Sequence, residues 1–322
     1  MSDSNPRFAT TPEASRLAIV FPGQGSQSVG MVKGFAETPI VEKTFREASA
    51  IAGIDYWQMA SEGPAEALNQ TVNTQPLMLV AGVACWRAWR ESGGAMPAFL
   101  AGHSLGEYTA LVAAESLRFE DALPLVRFRA QAMQEAVPEG TGGIAAILGL
   151  DDALLPEVLA AAAQGEVVEP ANLNSPGQVV IAGHRGAVER GMALAKEKGA
   201  KRAVMLPMSA PSHCSLMKPA ADRLRERLDA IEVRKPVVPV IHNRFVAAFD
   251  DPARIKVSLI EQLDHPVRWI ETVEFLVANG VQRIVECGPG KVLVGLSKRI
   301  ATGAECVAIT DSAASAAAVA RE

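Results

Sequence analysis

The chain has 322 residues, of which 49% are hydrophobic and 21% charged, and its formal net charge is −5. That length is about two domains at roughly 150 residues each and buries a core without disulfides or metals, and the composition excludes disordered and fibrous classes. The negative balance argues against nucleic-acid binding by phosphate neutralisation, and no apolar run reaches the roughly 18 residues of a membrane span.

Residues 1–15 are polar, lack the apolar core of a secretory signal and read as a flexible tail. The expected compartment is the cytoplasm, with Cys85, Cys214, Cys287 and Cys306 as reduced thiols. They form no CxxC pair and cluster with none of the five histidines, so no metal site is expected. Residues 16–21 (RLAIVF) are a short apolar β run that enters a glycine-rich turn, PGQGSQ. Residues 76–92 read as a helix, 97–102 as a strand, and 105–115 and 120–136 as helices, with Pro124 tolerated near a first turn.

After Pro138 the pattern changes. IAAILGL is a strand, DDALLPEVLAAAAQG a helix capped by Asp151, and VVEPANLN and QVVIAG are strands joined at Ser175-Pro176-Gly177. A helix ending at Gly199 and the strand AKRAVMLP complete a β-α-β-β-α-β order, the split βαβ unit. The predicted fold class is α/β. A large hydrolase-like α/β subdomain (16–137 and 208–310) carries an inserted ferredoxin-like small subdomain at 138–207. Helix 216–230, strand 237–242, helices 254–264 and 267–279, strand 282–287 and helix 291–300 return to the large unit, and 311–322 read as a fraying tail.

Gly102-His103-Ser104-Leu105-Gly106 is GxSxG between a predicted strand and a predicted helix, the context of a nucleophile elbow. The glycines keep Cβ atoms away from the turn, and the helix N-terminus below it favours developing negative charge, with the Leu105 amide as a natural oxyanion donor. Serine needs a base. His213, in the small polar loop Met208–His213 before a helix, is the best candidate. His103 points away from its neighbour on the tight turn, His184 sits at the surface, and His242 and His265 are structural or supporting. No acidic third member stands out: Asp250 and Asp264 lie in undistinguished contexts, and a carbonyl could orient the imidazole instead. Spacing alone has Arg127 and Arg129 reaching to water. Cys214 beside His213 reads as a small buried hydrophobe, and Glu107 and Tyr108 as packing or supporting residues.

Phe21-Pro22-Gly23-Gln24-Gly25-Ser26-Gln27, Thr74-Gln75-Pro76, the elbow continued by Glu107-Tyr108, Arg129, Asn174 through Gly183, Pro211-Ser212-His213 and Gly288-Pro289-Gly290-Lys291-Val292-Leu293 occur in one order. Together they resemble the malonyl-CoA:acyl carrier protein transacylases of bacterial type II fatty acid synthesis, over about residues 16–310. The resemblance implies ping-pong transfer through a malonyl-Ser104 intermediate, with His213 as general base and later general acid. It implies an oxyanion hole from the amides of Gln24 and Leu105, a malonyl carboxylate held by Arg129, and His213 oriented by the main-chain carbonyl of Gln262. Asn174 would line the cleft, and the small Ser212 leaves 2-substituted malonyl groups open. The implied partners are a coenzyme A thioester and an acidic acyl carrier protein, drawn to Lys196, Lys198, Lys201, Arg202, Lys291, Lys298 and Arg299. No cofactor, nucleic acid or membrane is implied, and the chain is expected to be a monomer. The alternatives are an acyltransferase serving a polyketide or polyunsaturated fatty acid synthase, a serine thioesterase, and an inactive docking protein.

Overall fold

The structure is a computed structural model that describes residues 16–207 and 210–320; the expected N-terminal tail lies outside them. In chain order, the first half runs β1 (Leu17–Phe21), α1 (Pro39–Ala52), α2 (Tyr56–Glu62), α3 (Ala65–Leu68), α4 (Thr71–Glu91), β2 (Phe99–Gly102), α5 (Gly106–Ala113) and α6 (Phe119–Glu135). The middle holds β3 (Gly142–Leu148), α7 (Leu155–Ala163), β4 (Val168–Ser175), β5 (Gln178–His184), α8 (Arg185–Glu197) and β6 (Arg202–Met205). The last part holds α9 (Lys218–Asp229), β7 (Val240–Ile241), α10 (Pro252–Glu261), α11 (Trp269–Ala278), β8 (Arg283–Cys287), α12 (Val292–Ile300), β9 (Glu305–Ile309) and α13 (Ser312–Val319).

Five parallel strands form one sheet in the order β7-β2-β1-β8-β9. Every residue of central β1 is buried because helices cover both faces of the sheet. Leu17, Ile19 and Phe21 enter the larger core with α4 and α5, while Ala18 and Val20 enter a second core with Trp269 and Val273 of α11 and Leu293 of α12. Parallel strands carry their following loops to one edge, so the ends of β1 and β2 lie side by side, with Phe21 in register with Gly102.

The second sheet is antiparallel, in the order β4-β5-β3-β6. Numbered within that unit, the order is 2-3-1-4, the arrangement of a split βαβ pair, with α7 and α8 on one face over Ala145, Ile147 and Ile181. The opposite face, with Ile144, Val180 and Ala182, turns toward Cys214 and the large sheet. The two units are tied by backbone: Leu173 N–H donates to Val267 O and Val267 N–H to Ala171 O, each at 2.9 Å.

Several sequence expectations need correction. Helix α4 begins at Thr71 rather than at residue 76: Pro76 sits inside it, and the ladder forgoes one N–H while Thr74 Oγ1 bonds Leu68 O at 2.6 Å. Val267 belongs to the inter-unit tie, not to α11, which starts at Trp269. The expected C-terminal tail contains α13, capped where Asp311 Oδ1 accepts from Ala314 N–H and anchored by buried Ser315 and Ala318. His184 is half-buried and accepts the Val167 N–H at 2.9 Å, so it is not a free surface group.

Candidate active site

Ser104 occupies the turn between β2 and α5 with φ +52°, in the left-handed region. Glycine is obligatory on both sides. A Cβ on Gly102 would lie 1.9 Å from the Gly106 carbonyl carbon, and one on Gly106 would lie 2.0 Å from Phe21 O. The strand end and the first helical turn therefore touch backbone to backbone, and the serine hydroxyl projects into a cavity of about 260 Å³. Gln24, Ser104, Leu105, Arg129, Asn174 and His213 all line that cavity, between the C-terminal edge of the parallel sheet and the inner face of the small sheet. Among the described residues, the amides of Gln24 and Leu105 donate to no group of the chain.

Ser104 Oγ lies 2.7 Å from His213 Nε2, and His213 Nδ1 lies 2.7 Å from Gln262 O. The carbonyl can only accept, so Nδ1 carries the proton and Nε2 is left to accept from the serine. His213 itself has φ +63°, and its N–H is held by Leu263 O at 3.0 Å. Burial lowers its pKa to about 3, helped by the charge of Arg129. The imidazole is thus neutral and ready to take a proton across the physiological range. Folding holds the neutral form, so stability present above about pH 6.5 is lost as the pH falls toward 3.

Arg129 departs from the reading by spacing. Arg127 is exposed, but Arg129 is only 1% exposed. Its Nη1 donates to Gln75 Oε1 at 2.5 Å, and its Nη2 to Gln262 Oε1 at 2.9 Å and to Ser104 Oγ at 3.2 Å. The guanidinium lies 5.4 Å from the Tyr108 ring centroid, and burial lowers its pKa. Two amide oxygens grip the fork without neutralising it. A buried cation hydrogen-bonded by amide oxygens rather than by a carboxylate, beside a nucleophile, is suited to an anionic ligand.

Gln262 does not line the cavity; it works from behind, through both its carbonyl and its side chain. Asn174 Oδ1 bonds His103 Nε2 at 2.8 Å, joining the small sheet to the elbow. His103, packed on Trp269, therefore faces Asn174 rather than the nucleophile. Cys214 is buried, donates to Pro211 O, and its thiol is pushed up to about 12, which leaves it inert. Two contributors escaped sequence reasoning, and a third was left open. Gln75 lay inside a quoted motif with no role given to it. Asn243 takes Ser104 N–H on its Oδ1 at 2.7 Å and gives its Nδ2 to Gly102 O at 2.7 Å. Glu107, read as packing or supporting, is a fully buried carboxylate.

Lys291, Lys298 and Arg299 on or beside α12 are exposed; Lys291 precedes the cavity-lining Val292, and Arg299 reaches the cavity-lining Gln178 at Oε1, 2.7 Å away. Lys196, Lys198, Lys201 and Arg202 are exposed on the small unit, Lys198 being paired with Glu157. The α12 N-terminus is held by buried Glu286, which accepts from Leu293 and Val294 N–H; burial raises its pKa. No group of three or more metal-ligating side chains occurs among the described residues, and no described helix is long and apolar enough to cross a membrane.

An elbow serine, a carbonyl-oriented histidine and a buried arginine on this two-sheet scaffold define an acyl-transferring enzyme, and residues 18–317 match the acyl transferase domain family, to which the chain belongs. Within it, the chain is 55% identical over 306 residues to the malonyl CoA-acyl carrier protein transacylase of Salmonella typhimurium, covering 95% of this chain and 99% of that one. It is similar to the crystal structure of an acyl carrier protein S-malonyltransferase from Vibrio cholerae, at TM-score 0.91 and 56% identity, covering 93% of this chain and 98% of that one. A malonyl-transacylase solved in complex with its holo type II PKS acyl-carrier protein aligns at TM-score 0.94 and 50% identity, covering 96% of this chain and 100% of that one.

Proposed function

We propose that this chain transfers a malonyl group from malonyl-CoA to the phosphopantetheine thiol of an acyl carrier protein. The observation that carries the reading is the buried Arg129 fork, held by amides and with no carboxylate hydrogen-bonded to it among the described residues, 3.2 Å from the hydroxyl of an elbow serine paired with histidine. A hydrolase has no use for that cation, and a docking protein has no use for the dyad.

The chemistry runs in two halves. Arg129 receives the malonyl carboxylate on the N–H groups that Gln75 and Gln262 leave over. Ser104 Oγ attacks the thioester carbonyl as His213 Nε2 takes its proton, and the oxyanion forms against the Gln24 and Leu105 amides. The C–S bond breaks, and His213 returns the proton to the departing coenzyme A sulfur, leaving malonyl-Ser104. In the second half the carrier thiol gives its proton to His213 and attacks the ester, and Ser104 recovers the proton. Each step uses the chain's own groups, the incoming coenzyme A thioester and the carrier thiol, with no resident cofactor. Asn174 borders the acyl group, and the small Ser212 leaves room beside it. The carrier docks over Lys291, Lys298 and Arg299 and the basic residues of the small unit, despite the net charge of −5. Residues 16–137 and 208–310 act as the catalytic subdomain and 138–207 as the cover, in a cytoplasmic monomer.

Intact-protein mass spectrometry tests this. Mixing with malonyl-CoA is expected to add one malonyl group to the Ser104 peptide, and holo acyl carrier protein is expected to remove it with matching gain. Decay at the same rate without carrier would instead mark a thioesterase. The pH profile is a second check. Acylation kcat/KM is expected to hold level from pH 8 down to about 5, rather than bending near the 6.5 of an ordinary histidine. Because a bound carboxylate offsets Arg129, the acid limb of kcat lies at higher pH than that of kcat/KM. A limb at 6.5 in both profiles would refute the buried, neutral base.

A further inference from the structure

Glu107 is fully buried, yet no part of the reaction above uses it. It lies on the first turn of α5, directly after the elbow. Its Oε1 is 2.7 Å from His242 Nδ1. Its Oε2 accepts from Asn243 N–H at 3.0 Å and from Gln262 Nε2 at 2.8 Å. Gln262 Nε2 also donates to Ser104 O at 2.9 Å.

An amide has one accepting and one donating end. With both partners of Gln262 Nε2 being oxygens, its Oε1 is compelled to face Arg129 Nη2. The carboxylate therefore decides which way the Gln262 amide points, and that amide decides where the Arg129 fork lies. The main-chain carbonyl of the same residue sets the His213 ring. Asn243, anchored to the same carboxylate oxygen, holds both Ser104 N–H and Gly102 O. A single buried acid thus reaches the nucleophile's backbone, the base and the clamp, each through one intermediary, while touching no reacting atom.

We propose that Glu107 is a positioning residue for malonyl selectivity, locking the Gln262 amide so that the Arg129 fork and the His213 ring are held in one register. This rests on the reading of Arg129 as the carboxylate clamp. Acetyl transfer needs the base but no clamp, so loss of the lock harms malonyl transfer more than acetyl transfer.

The test is the ratio of kcat/KM for malonyl-CoA to that for acetyl-CoA in three variants of the full chain, each checked by thermal melt. Glu107→Ala is expected to lower malonyl kcat/KM by about 10²-fold, the cost of a misplaced catalytic geometry, and to lower the ratio by about tenfold. Glu107→Asp keeps the charge but draws the oxygens away from Gln262, and the ratio is expected to fall in the same direction. Glu107→Gln is expected to keep the ratio and lose less than about tenfold in rate. Its carbonyl serves Asn243 and Gln262, and its amide faces His242, whose Nε2 has no hydrogen-bond partner and can take the ring proton. A ratio that holds in Glu107→Ala or Glu107→Asp overturns the proposal, as does a Gln variant that loses it as fully as Ala. Should Glu107→Ala fail to fold, Glu107→Asp and Glu107→Gln decide. Failure of the clamp reading itself shows separately, as an Arg129 variant that still prefers malonyl.

Discussion

Ser104→Ala is expected to take no malonyl group from malonyl-CoA and to lose transfer by roughly 10⁵–10⁶-fold, as when other serine-nucleophile enzymes lose the serine. No neighbour can substitute. Cys214, next to the base in sequence, has its thiol protonated, buried and bonded to Pro211 O, and the Ser212 hydroxyl on the other side of the base has no hydrogen bond to His213. The fold is expected to survive, because the strained turn is held from behind by Asn243 and Gln262 and not by the hydroxyl. A melt close to wild type with no mass gain is the expected pair of results. A malonyl adduct on the variant, at any residue, would remove Ser104 from the mechanism.

Arg129→Met separates function from stability. The lost charge-assisted contact is expected to cost about 2–4 kcal/mol in malonyl kcat/KM, some 30- to 10³-fold, with acetyl transfer far less affected. Stability is expected to change far less than activity. In the unliganded chain Arg129 is a buried cation whose Nε has no hydrogen-bond partner, and relief of that burial offsets the donors that the Gln75 and Gln262 amide oxygens lose. Removing the charge also raises the His213 pKa, so the acid limb of the acetyl reaction moves to higher pH. Parallel loss of malonyl transfer and of thermal stability would return Arg129 to a structural role.

The parts of this molecule that declare themselves locally were legible in the sequence. The elbow needs glycines at fixed offsets, and the split βαβ unit alternates strand and helix patterns without interruption. His213 stood out because its loop is small and polar. What escaped depends on contacts distant along the chain. Arg129 looks like any arginine on a helix until Gln75 and Gln262, from α4 and the end of α10, close on it. Asn243 follows a strand of only two residues, which carries no periodic signal. Helices α1 to α3 and strand β9 were not picked out; α3 has four residues and β9 is a short edge strand. Helix α13 is so rich in alanine and serine that only its cap and its packing on the body distinguish it from a frayed end.

The paired hydrogen bonds between Val267 and strand β4 bear on how such an enzyme can change over generations. They join β4 to the segment before α11 main chain to main chain, a link that side-chain substitutions other than proline leave in place. The gap between the sheets is thereby set before any acyl group arrives. New substrate preferences must come from exchanging the side chains that face inward, such as Ser212, Met133 or Leu206, while the walls stay where they are. A scaffold of this kind can be retuned one residue at a time without relearning how to fold.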